Sequence, residues 1–124
     1  MKHKHRLYTI NRELYIKHMN TRYLLNGLKL TEKEEEYLNS KVEKINKFFK
    51  DCKDPSALRL EIDIKQDKKK FWTVEIMLKT PKQLFRVEKT GKTFMIAVDE
   101  TESALMKQLR RHKDKMIALQ RKNK

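Results

Sequence analysis

ALRLEIDIK (residues 57–65) and FWTVEIMLK (residues 71–79) are the two runs whose reading decides the fold. In the first, Leu58, Leu60, Ile62 and Ile64 alternate with Arg59, Glu61, Asp63 and Lys65. A period of two sends the apolar set to one side of an extended chain and the charged set to the other. That is the pattern of a half-buried antiparallel strand. Trp72, Val74, Ile76 and Leu78 repeat it, and QDKKK (66–70) between the runs reads as a turn. Further on, Thr80-Pro81-Lys82 turns the chain again, and LFRVEK (84–89) places Phe85 and Val87 on one face. Three strands joined by short turns predict a meander.

A helix is expected on each side of this meander. Upstream, Thr31 with Glu34 forms a capping box, and Glu32, Glu35 and Glu36 suit the positive end of a helix. Leu38, Val42, Ile45 and Phe49 then recur at +4, +3 and +4, an apolar stripe within roughly 60° of arc. Lys41 and Lys44 flank the stripe, interleaved with Tyr37 and Phe48. The helix is predicted to end near Lys50, before the Asp54-Pro55 turn. Downstream, Thr93 is the predicted N-cap of a second helix. Its stripe is Phe94, Val98, Leu105, Leu109, His112 and Met116, with Thr101 near the same line. Lys107, Arg111 and Lys115 share one flank at +4 and +4, while Arg110 and Lys113 sit further round. NTRYLLN (20–26), ahead of Gly27, supplies a first strand. The predicted fold is α+β, in the order β-α-β-β-β-α, with a four-stranded sheet and both helices packed on one face. Residues 1–19 are an N-terminal extension, 20–119 the domain, and 120–124 a basic tail.

Composition narrows the function. The 124 residues suit one domain. With 31 Lys+Arg against 17 Asp+Glu, the formal net charge is 31 − 17 = +14. Such a surplus opposes compaction by self-repulsion, so its use lies outside folding, and polyanions are the usual partners. Solubility alone is the plain alternative. An anionic membrane is a weaker one, since no helix pairs a basic face with exposed Trp, Phe and Leu. Basic residues at i and i+4 lie about 6 Å apart along a helix, a spacing suited to phosphate contacts that position rather than specify.

Catalytic and metal chemistry find no footing. The single cysteine, Cys52, has no partner for an internal disulfide, which suits a reducing compartment. No nucleophile elbow, phosphate loop or paired-His zinc motif occurs. His3 and His5 could chelate weakly, His18 lies apart from them, and His112 reads as an edge-of-core residue. No cofactor, metal or enzyme activity is expected. No run of residues is long and apolar enough to span a membrane, and no secretory signal is expected.

TEKEEEYLNSKVEKINKFFKD (31–51), TFMIAVDE (93–100) and KQLRRHKDK (107–115) together resemble the ribosome hibernation-promoting factor family, which includes the ribosome-associated inhibitor. The resemblance spans about residues 20–119. It rests on Lys41, Lys44 and Phe48-Phe49 in the first helix. In the second it rests on Met95, Ala97, Val98, Asp99, Leu105, Gln108, Leu109 and the run His112 to Lys115. It implies the same strand and helix order, close to that of a double-stranded RNA-binding domain. It also implies a non-catalytic protein seated in the small ribosomal subunit, in the mRNA and tRNA channel, inhibiting translation by occlusion. Carried over residue by residue, the RNA-binding positions are Lys41, Lys44, Lys107, Arg111, Lys113 and Lys115, with Arg110 an added charge. The implied partners are the small subunit and its rRNA, with a ribosome-pairing factor as a further candidate; the implied location is the cytoplasm. Ala104 stands where the family usually has a basic residue. Thr101 and Glu102 stand where it has apolar ones, so looser packing of this helix is expected. Neither a C-terminal dimerisation domain nor an acidic tail is expected, as in a short family form. A free-standing double-stranded RNA-binding module shares the topology and the charge, and is the alternative.

Overall fold

The computed structural model describes residues 19–52 and 54–122, with side chains through Lys113. The expected order is observed: β1 (Asn20–Leu24), α1 (Glu32–Phe48), a short 3-10 turn (Pro55–Ala57), β2 (Arg59–Gln66), β3 (Trp72–Lys79), β4 (Leu84–Gly91) and α2 (Phe94–Lys122). The sheet runs β1-β2-β3-β4. β2 pairs antiparallel with β3, and β3 with β4, but β1 pairs parallel with β2. The first strand reaches β2 through a helix, which returns the chain to its starting end, so the two run the same way. The alternation in 57–65 therefore holds, with one antiparallel and one parallel neighbour.

Element ends shifted by local chemistry. β1 stops at Leu24 because Asn26 and Gly27 take φ of 54° and 81° and turn the chain. α1 stops at Phe48, where the N–H of Phe49 donates back to Asn46. β2 starts at Arg59 because Pro55 opens a 3-10 turn, in which the Ala57 and Leu58 N–H groups donate to Asp54 and Pro55. The α1 capping box forms as expected: Glu34 N–H donates to Thr31 Oγ1 at 3.1 Å, and Thr31 N–H donates to Glu34 Oε1 at 2.8 Å. Thr93 caps α2, its Oγ1 accepting from Ile96 N–H at 3.1 Å.

One core lies between the sheet and the two helices. Leu60, Ile62, Ile64, Val74, Ile76 and Leu78 are buried on the sheet; Leu38, Val42 and Ile45 on α1; Phe94, Val98, Leu105 and Leu109 on α2. Each such side chain contributes about 1.5–3 kcal/mol on leaving water. Met19 belongs to this core too, and its N–H donates to buried Asn46 Oδ1 at 3.1 Å.

Two ring contacts set the run of α2. Phe94 meets Trp72 edge-on at 5.3 Å, and His112 meets Phe85 edge-on at 5.6 Å. Trp72 pairs with Gly91 at one end of the sheet, and Phe85 pairs with Leu78 near the other. α2 thus runs antiparallel to β4, and its later turns lie at the end away from the β2–β3 hairpin. At its start the backbone comes close to the sheet: a Cβ on Gly91 would sit 2.9 Å from Ala97 N. The expected looser packing is not observed. Thr101 is 0% exposed and Glu102 5%. The Thr101 hydroxyl is shared between Ala97 O at 2.6 Å and Val74 O at 3.2 Å, so it crosses to the sheet without a stranded polar atom.

Candidate nucleic-acid interface

α1 and α2 lie side by side and run in the same direction, and facing pairs fix their register. On α1, Tyr37, Lys41, Lys44 and Phe48 recur at +4, +3 and +4 and form one stripe. On α2, Asp99, Glu102, Met106, Arg110 and Lys113 form another. Tyr37 donates its hydroxyl proton to Asp99. Lys41 Nζ lies 3.1 Å from Asp99 Oδ1 and 3.7 Å from Glu102 Oε1. Lys44 Nζ lies 3.8 Å from Glu102 Oε1. Lys113 Nζ sits 5.5 Å from the centroid of the Phe48 ring, a cation–π contact that closes the seam.

This seam divides the sequence-derived cations into groups. Lys41, with a side chain 18% exposed, is held inside as a helix-to-helix clamp. Lys44, at 65%, touches Glu102 but keeps most of its surface in water. Arg110 and Lys113 are exposed and continue the α2 stripe past the last acidic residue of the seam. Lys107 and Arg111 are exposed on the adjoining outer flank of α2, one turn apart. The side chain of Lys115 lies outside the described residues, as do those of Met116 and the tail, and so does the extension 1–18 with its His3, His5 and His18. Lys44, Lys107, Arg110, Arg111 and Lys113 therefore lie on two neighbouring parallel helices, Lys44 toward the end of α1 and the others in the middle of α2.

The open side of the sheet carries both signs of charge, and a row of carboxylates crosses it. Asp63, Glu75 and Glu88 stand directly opposite one another across β2, β3 and β4 on the open side of the sheet. Like charges in register cost stability. Arg86 Nε at 3.8 Å from Glu75, and Asn26 Nδ2 at 2.6 Å from Asp63, relieve part of that cost. Around that row, the cations Arg22, Arg59, Lys65, Lys79 and Arg86 are interspersed with Glu61, Asp63, Glu75 and Glu88.

The acidic members of the clamp, Asp99 and Glu102, were missed as a functional pair in the sequence. Their +3 spacing was visible, but which helix face they shared with Lys41 was not. The clamp shifts its own titrations. The Tyr37 hydroxyl and then Lys41 hold the Asp99 carboxyl below its ordinary value. The hydrogen bond to Asp99, then burial, raises Tyr37; the same partner first, against desolvation, raises Lys41. A lowered carboxylate pKa stabilises the fold above the unfolded value, about 3.9, and that contribution fades as pH falls through the folded value. The raised Lys41 and Tyr37 stabilise below their unfolded values, about 10, and lose this as pH rises through the folded ones. Wild type is accordingly expected to exceed Asp99→Asn in stability by a constant margin from about pH 5 to 9, a margin that shrinks below about pH 4. Urea titrations across that range check it; a margin unchanged at pH 3 contradicts a charged Asp99.

The family model described as sigma 54 modulation protein / S30EA ribosomal protein matches residues 25–117. The chain belongs to this family. Among solved structures, a ribosomal subunit interface protein from Coxiella burnetii shares 16% identity with a TM-score of 0.59, over 79% of this chain and 99% of its own. The N-terminal domain of Protein Y from Thermus thermophilus shares 19% identity with a TM-score of 0.60, over 77% of this chain and 99% of its own. At those identities the likeness is one of fold. No curated protein matches the sequence. Both solved structures share the fold described above. Among the described residues there is no cluster of three or more His, Cys, Asp or Glu that could hold a metal, and no helix is long and apolar enough to cross a membrane.

Proposed function

We propose that this S30EA-family protein is a cytoplasmic ribosome hibernation factor that binds the small ribosomal subunit and silences it by occupying the mRNA and tRNA channel. The observation that carries the reading is the shared cationic surface of α1 and α2 in a protein of this family. Lys44, Lys107, Arg110, Arg111 and Lys113 are its exposed members, and Lys115 continues their spacing. Inhibition by exclusion needs no nucleophile, acid–base pair or metal. Phosphate contacts give affinity and register, while the shape of the RNA-walled site gives selectivity. The Coxiella neighbour is named for the ribosomal subunit interface, which agrees with a subunit-face location.

Competition binding tests the reading. Labelled protein is equilibrated with purified small subunits and challenged with a plain RNA duplex, at fixed salt because affinity depends steeply on it. A ribosome factor is expected to prefer the subunit by at least ~1,000-fold at about 0.15 M salt, a ratio at the lower edge of specific over non-specific binding. Equal affinity for duplex and subunit identifies a free-standing double-stranded RNA-binding module instead. In a coupled translation assay, addition of the protein is expected to lower output in proportion to subunit occupancy.

A further inference from the structure

The β2–β3 hairpin carries a second concentration of charge, remote from the two-helix surface. Its loop, Asp67-Lys68-Lys69-Lys70, is followed by Phe71, and Lys65 lies at the end of β2 beneath it. Lys65, Lys68, Lys69 and Lys70 are exposed, and none is ion-paired among the described residues. The one carboxylate of the loop itself is turned to the backbone. Asp67 Oδ1 accepts from Lys69 N–H and from Phe71 N–H, each at 2.9 Å. The backbone closes the same loop, with Asp67 N–H donating to Phe71 O at 3.0 Å and Lys70 N–H to Asp67 O at 3.0 Å.

Two local choices run against stability here. Lys70 holds φ at +71°, a left-handed conformation that glycine adopts without strain and lysine does not. Three adjacent lysines also repel one another across a tight turn. A turn selected only to join two strands would use Gly or Asn at that position and disperse the charge. The turn instead presents three ammonium groups from a pre-closed loop. The Trp72–Phe94 and Phe85–His112 contacts place this loop at the end of the molecule opposite Arg110 and Arg111. The length of β3, eight residues, puts about 25 Å between the two ends.

We propose that the Lys68-Lys69-Lys70 hairpin is a second phosphate-contact point, which grips an RNA backbone segment about 25 Å from the one held by the helices. The inference rests on the ribosome-binding reading and adds to it: the domain bridges two RNA segments and does not lie along one. The sheet-side row Asp63, Glu75 and Glu88 lies between the hairpin tip and the lower part of the open face.

The test compares small-subunit binding of wild type, Lys68→Gln/Lys69→Gln, Lys70→Gly and Lys107→Glu/Arg111→Glu across a salt series. Each lost phosphate contact lowers the slope of log K against log salt by about 0.7–0.9. The double Gln variant is expected to lose ~1.5 in slope and more than tenfold in affinity at about 0.1 M salt. Lys70→Gly is expected to raise Tm while weakening binding, opposite signs that a purely structural turn residue would not give. If the helix variant loses binding while both hairpin variants keep wild-type affinity and slope, the second contact point is refuted and the ribosome reading stands. If wild type itself shows no preference for the subunit over plain duplex, both fall.

Discussion

Reversing Lys107, Arg110 and Arg111 to Glu together is expected to abolish association with the small subunit. All three side chains are exposed, and none is ion-paired among the described residues, so their charge is free to act on a ligand. The loss of three phosphate contacts lowers the salt slope by about 2–2.7. At about 0.1 M salt that removes two decades or more of affinity, and three introduced carboxylates add repulsion. The fold should barely notice, since exposed substitutions away from caps and clamps stay within about 0.5 kcal/mol. Co-sedimentation with ribosomal subunits through a sucrose gradient, beside a thermal melt, separates the two effects. A variant that melts like wild type and still co-sediments at about 0.15 M salt overturns the placement of the interface on α2.

The second large effect is expected at Lys41, and it is an effect on stability. The family resemblance implies an RNA contact there, but the structure puts this ammonium between two helices, against Asp99 and the buried Glu102. Lys41→Met leaves Glu102 with Lys44 alone, at 3.8 Å and largely in water. Stranding a buried carboxylate costs about 3–5 kcal/mol when no partner remains, so with Lys44 still present about 2–3 kcal/mol is expected in urea unfolding. The compensating change distinguishes the roles. Lys41→Met with Glu102→Leu removes both charges and fills the seam with apolar volume, an exchange that is often neutral or stabilising. The pair is expected to recover most of the lost stability and to keep subunit binding within about threefold of wild type, because the exposed cations of α2 are untouched. A Lys41→Met protein that is as stable as wild type yet fails to bind would restore Lys41 to the RNA surface.

The two predictions also mark how far the sequence could be read. The alternation of Leu60, Ile62 and Ile64 with Arg59, Glu61 and Asp63 gave the sheet and its buried side, because a period of two has one geometric meaning. The stripes of α1 and α2 gave two helices with one buried side each, and the capping box at Thr31 and Glu34 formed as written. Missed or shifted features depended on neighbours distant in the chain. The parallel pairing of β1 with β2 follows from where α1 delivers the chain. The burial of Thr101 relies on Val74 O, a carbonyl 27 residues away. Looser packing was expected because Thr101 and Glu102 stand where the family has apolar residues; the sheet and Lys41 supply their partners.

The amino-acid sequence by itself determined the element order, the core-facing side of each element, the charge surplus and the family, since all of these are periodic or compositional and need only nearby residues. Tertiary structure alone decided which cations are available. Lys41 and Lys44 are one turn apart on the same helix flank, yet one is enclosed by Asp99 and Glu102 and the other reaches water. The same holds for the Lys68-Lys69-Lys70 hairpin, whose place opposite the helix surface depends on the direction of α2 along β4. Electrostatic function is set by distance and solvent exposure, and folding fixes both by bringing together residues about 60 positions apart in the chain.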